Sequence, residues 1–156
     1  MTPDQVSASY ERRETSARSL GDAFVEFMQL KMSKLSKFRK LLVVVLKESF
    51  DPESAISPLN KASAPFREKN IQIFSDMAGR FGSKDAKEAG QILWLVHMLV
   101  LAYWLYDRSE KYEATQRLLR TTSTCIGAMG LLSHVPGWSQ IVQQIKSVIS
   151  AILAVD

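Results

Sequence analysis

Gln91 to Ser109 reads QILWLVHMLVLAYWLYDRS. Between Ile92 and Tyr106 there is no charged residue, proline or glycine, and the polar groups are His97 and the tips of Trp and Tyr rings. A surface helix shows one apolar stripe, whereas a helix apolar all round is buried on every side. That uncharged run is shorter than the roughly 18–20 residues that cross a bilayer, so it predicts a core helix and no membrane span. It is long and apolar enough that one copy of the chain should not cover it, and part of its surface is expected to meet a second copy.

Working outward, 156 residues fit one domain with a real core. The balance of 46% apolar to 23% charged residues argues against disorder. The net charge of +4 is local: Lys31, Lys34, Lys37, Arg39 and Lys40 carry it, and the rest is near neutral. One such cluster, with Phe38 its only aromatic, reads as a solvated face rather than a phosphate-contacting patch. Cys125 is the only cysteine, which excludes an intrachain disulfide and a cysteine metal centre. The polar N-terminus is no signal peptide, so a cytoplasmic protein is expected.

The chain then parses into about six helices and no convincing strand pair, an all-α fold. Residues 1–18 read as a poorly anchored segment opened by Thr2-Pro3-Asp4, and residues 19–156 as one all-helical domain. Ser19 opens a helix with Asp22 three residues on, an acidic variant of the capping box. Ser36 interrupts, and Phe38, Leu41, Leu42, Val45 and Leu46 form the next amphipathic face. Val43 to Val45 could be a strand on propensity, but the flanks favour helix. Asp51-Pro52 and Ser57-Pro58 bound a loop. Pro65 sits in the first turn of a helix that stops at Gly79 or Gly82. Ser83 precedes the central helix, Ser109 caps the one after it, and a last helix runs from Trp138.

Catalytic motifs are missing from the sequence: no H-E-x-x-H, no G-x-S-x-G, no P-loop, and two histidines in different helices. No enzyme, cofactor or metal is predicted. On the central helix Trp94, His97, Leu101 and Trp104 share a face. Two indoles and an imidazole suit the wall of a small-molecule pocket, though aromatic stripes are also ordinary core. The opposite face holds Ile92, Val96, Leu99, Tyr103 and Tyr106. Leu118, Thr122, Cys125, Met129 and Leu132 step by four and three, a seam that packs helices nearly parallel. Together these predict two helices per chain meeting their twins in a four-helix bundle.

LAYWLYDRSEKYEATQRLLRTT, Leu101 to Thr122, resembles the junction of the eighth and ninth helices in the C-terminal domain of tetracycline-repressor-like (TetR family) regulators. Leu35 to Phe74, with its proline-bearing loop, is similar to the sixth and seventh. The resemblance covers most of residues 19–133. It implies a cavity for a small, mostly hydrophobic or aromatic effector. Phe24, Phe27, Met28, Leu42, Phe66, Phe74 and Met77 would line it beside the face of Trp94 and His97. It implies a homodimer through the central helix and its successor, and a DNA reader placed before residue 1. No helix-turn-helix precedes Ser19, so contact with DNA is expected only through a missing N-terminal domain. The rival expectation is a structural helical module that pairs with another regulator and has no ligand cavity.

Overall fold

Ser19 starts the helix that its sequence suggests: its hydroxyl accepts from the Asp22 N–H at 3.1 Å. This satisfies one of the amides that a helix start leaves without a partner. In the computed structural model, residues 16–49, 51, 54–58, 60–132, 140, 143–144 and 147–148 are described. Among them lie five α-helices: α1 (Leu20–Leu35), α2 (Arg39–Ser49), α3 (Ala64–Arg80), α4 (Ala86–Tyr106) and α5 (Glu113–Leu132). Three single 3₁₀ turns, Ser36–Phe38, Lys61–Ser63 and Glu110–Tyr112, introduce α2, α3 and α5. No strand occurs among the described residues, and the Val43 to Val45 run is helical. The N-terminal segment through residue 15 and most of the helix expected from Trp138 lie outside the described residues.

α3 and α4 form a tight antiparallel hairpin. Gly82, with φ of +77°, ends α3. Its N–H donates to the Gly79 carbonyl, and the Ser83 N–H donates to that of Ala78. This is the Schellman pattern, which a residue without Cβ enters at little cost. Further on, Gly90 lets the two backbones close. A Cβ there would lie 2.1 Å from Ser75 Oγ and 2.7 Å from the Ser75 nitrogen.

α5 lies antiparallel along α1. The Gln29 amide donates to Gln116 at 3.2 Å, and Gly21 sits so close to Ser123 that a Cβ would meet its carbonyl oxygen at 2.4 Å. Thr115, Leu119, Thr122 and Ile126 are the buried stripe of α5. They meet one core with Phe24, Phe27 and Met28 of α1, Phe74 and Met77 of α3, and Leu93, Val100 and Trp104 of α4. Each large apolar side chain so buried contributes about 1.5–3 kcal/mol relative to leaving it in water.

Two expectations change. α2 packs with Leu42, Val43 and Leu46, while Phe38, Leu41 and Val45 stand exposed. Arg39 explains the rotation, because it bonds to α4, and residues 39, 42, 43 and 46 share one helical face. The central helix also runs to 21 residues, long and apolar enough by length and composition to cross a membrane. Length therefore does not decide its place. Gly90, Leu93, Trp94, His97, Val100, Trp104 and Leu105 are buried against the same chain, while Leu99, Tyr103 and Tyr106 are exposed.

Candidate functional site

The C-terminal end of α4 is built first by its own neighbours. The last carbonyls of a helix have no partner within it and carry partial negative charge. Arg39 supplies both needs. Its guanidinium donates to the Trp104 carbonyl at 2.9 Å and to the Asp107 carbonyl, and it lies 4.7 Å from the Tyr112 ring centroid. Lys111 and Tyr112 adopt φ of 49° and 58°, left-handed conformations that cost a non-glycine residue energy. This places Tyr112 edge-on to Trp104.

Asp107 closes the corner from the other side. One carboxylate oxygen accepts from the Ser109 N–H and hydroxyl, and the other from the Thr115 N–H and hydroxyl, at 2.6–2.8 Å. Burial pushes the carboxyl upward, but these four donors outweigh it and hold it well below the usual carboxylate range. A depressed acid adds stability above its unfolded value and loses it as pH falls. Asp107→Asn should therefore cost about 1–2 kcal/mol at pH 7, the range for losing a helix cap. Urea denaturation should show that gap narrowing as pH falls below about 4.

The interior of the site centres on Phe74. Its ring meets Phe27 edge-on at 5.2 Å, Phe24 at 5.9 Å and the His97 imidazole at 5.3 Å. Lys31 enters this cluster from α1. Its Nζ lies 2.7 Å from His97 Nε2 and 5.8 Å from the Phe27 centroid. An ammonium can only donate, so Nε2 accepts and the ring proton sits on Nδ1. That Nδ1 is buried without a hydrogen-bond partner. The Trp94 carbonyl is near enough to favour a proton there but outside bonding geometry.

Desolvation lowers the Lys31 pKa from 10.5 to about 8. Desolvation first, and the Lys31 charge second, push His97 well below its ordinary value, so the imidazole is neutral. The result is a cation and a neutral imidazole surrounded by aromatic rings, a combination suited to hold a polar group on an otherwise apolar ligand.

Of the residues expected to face a ligand, Phe24, Phe27, Met28, Phe74, Met77, Trp94, His97 and Trp104 are all buried in this one core. Leu42 and Leu101 are half-buried at its edge, and Phe66, in the first turn of α3, is 63% exposed. Of those expected at a dimer contact, Leu99, Tyr103 and Tyr106 are exposed at 70%, 47% and 52%, and Cys125 is exposed. Val96, Leu118 and Met129 are half-buried. Thr122 belongs to the stripe of α5 that this chain buries itself, and the side chain of Leu132 lies outside the described residues.

Lys31, Arg39 and Asp107 were not expected as site residues. Lys31 left a trace in the sequence: 24, 27, 28 and 31 are one helical face, and the lysine occupies a place in the Phe24–Phe27–Met28 stripe. Arg39 left none, because its partners are backbone carbonyls 65 and 68 residues away.

Residues 24–136 match the family model described as "Tetracyclin repressor-like, C-terminal domain". No match was found among curated proteins.

Proposed function

This chain belongs to the tetracycline-repressor-like C-terminal domain family, and on that premise we propose that it is the effector-sensing and dimerising part of a transcriptional regulator. It takes a small, mostly hydrophobic effector beside His97 and Lys31. It pairs with a second copy through α4 and α5, which together form a four-helix bundle. Its role is binding rather than catalysis, and operator reading falls to a helix-turn-helix that these residues do not include.

The two faces of α4 carry the proposal. One turns His97, Trp94 and Trp104 into the aromatic core. The other leaves Leu99, Tyr103 and Tyr106 in water at a spacing of four and three. Exposed large apolar side chains that line up on one helix mark a contact surface. Leu99→Glu combined with Tyr103→Glu should convert a dimer to a monomer in sedimentation at micromolar concentration, with an unchanged helical circular dichroism spectrum. A wild-type chain that sediments as a monomer would overturn the pairing.

The close ring contacts around Phe74 favour one rival, a pairing module with no effector. A thermal-shift survey with aromatic and lipid-like compounds separates the two. A ligand that binds the folded state raises the melting temperature, whereas the rival gives a flat response.

A further inference from the structure

Lys31 is a half-buried cation against the aromatic core, and its polar contact among the described residues is a neutral ring nitrogen. An ammonium has three donors. His97 Nε2 takes one and the Phe27 face lies beside the group, which leaves donor capacity and a full charge uncompensated. His97 Nδ1 points away from Lys31, toward the Trp94 carbonyl of its own helix, so the ring serves to hold the ammonium in place. A charge held against apolar rings is costly unless a partner arrives. Around the Lys31–His97 pair the surfaces are aromatic and apolar: Phe24, Phe27, Phe74 and Trp94.

We infer that Lys31, positioned by His97, recognises an acid group, and that the effector class is a small carboxylate with an apolar chain or ring as its body. The inference rests on the effector-binding reading above and goes further by fixing the ligand's charge. A carboxylate supplies one negative charge against the one positive charge of Lys31, and its oxygens accept the free ammonium hydrogens. A phosphate dianion would leave a second charge unmatched among apolar rings, which is why a monoanion is the better fit. The apolar body displaces water and strengthens the ion pair by lowering the local dielectric.

The test uses matched pairs that share a body and differ in the head: decanoate against 1-decanol, and phenylacetate against 2-phenylethanol. Each is titrated into the full chain at pH 7 and followed by tryptophan fluorescence and thermal shift. In at least one pair the acid should bind about tenfold or more tightly than its alcohol, the scale of one charge-assisted hydrogen bond. Lys31→Met should abolish that preference while alcohol affinity stays within about twofold, since the apolar stem is kept. Lys31→Gln, run beside it, should do the same and guards against a packing artefact of either variant.

Alcohols that bind as tightly as acids, or an acid preference that survives both variants, would overturn the inference. In the first of those cases the effector-binding reading stands. If neither head group binds with any body, including a wider neutral panel, both fall together.

Discussion

Replacing Lys31 by methionine should make the free protein more stable at pH 7, by at most about 2 kcal/mol. Holding the half-buried ammonium against the aromatic core costs at most about 3 kcal/mol, from a pKa lowered from 10.5 to about 8 at 1.36 kcal/mol per unit. Methionine keeps the stem's bulk without the charge. His97 Nε2 then loses its donor, which returns about 1 kcal/mol of the gain.

The same group sets a pH dependence whose sign can be worked out. Lys31 is a base with a depressed folded value, so between about pH 8 and 10.5 the unfolded chain binds more protons than the folded one. Stability therefore rises with pH across that window. His97 acts in the same sense lower down: the unfolded ring protonates near 6.5 while the folded one stays neutral, so stability falls as pH drops below that value. Urea midpoints at pH 7 and pH 10 should converge between wild type and Lys31→Met. A variant less stable than wild type at pH 7 would mean that the amine is hydrated or paired in the folded protein. Binding sites commonly trade stability in this way for a group that only a ligand satisfies.

Gly90→Ala should destabilise the chain by about 2 kcal/mol, although alanine is the better helix former by about 1 kcal/mol. Ser75 Oγ could swing aside, but the Ser75 nitrogen and the Ile71 carbonyl, 2.7 and 2.9 Å from the added Cβ, belong to the backbone. α3 and α4 would have to part along their whole contact. Gly127 is the control: it lies in α5, is exposed, and has nothing within 4 Å of a built Cβ. There the same substitution should add about 1 kcal/mol. At roughly 2–4 °C per kcal/mol for a chain of this size, the two variants should move the melting temperature in opposite directions. Equal shifts of one sign would show that the hairpin is looser than its geometry.

Much of the architecture could be read from residue pattern, because patterns report local physics. The Ser19 cap, the break at Ser36, Pro65 in the first turn and a stop at Gly79 or Gly82 are each governed by a few adjacent residues, and each is found, the stop at the second of the two glycines. The aromatic face of α4 was equally visible, since a helical period fixes which side chains share a side. What periodicity cannot supply is the rotation of α2. Phe38, Leu41 and Val45 look as apolar as Leu42 and Leu46, and a tether from Arg39 to distant carbonyls chooses between them.

The seam of α5 shows the same limit. Leu118, Cys125 and Met129 and the buried set Leu119 and Ile126 are offset by one residue, and both include Thr122. The close approach of Gly21 to Ser123 and the Gln29–Gln116 bond fix which face turns toward α1. The Lys31–His97 pair was half legible: the histidine stood out in its apolar run, while the lysine was hidden among four other basic residues.

Arg39 belongs to α2 by covalent order and to the end of α4 by its bonds. Such a tether works like a tie-rod. When the end of α4 slides or swivels, the guanidinium must either carry the head of α2 with it or let go, leaving the Trp104 carbonyl with the 3.3 Å bond from the Asp107 N–H alone. Because Asp107 clamps the start of α5 in the same knot, three rods share one pivot, and none of them can shift there without breaking bonds held by the others.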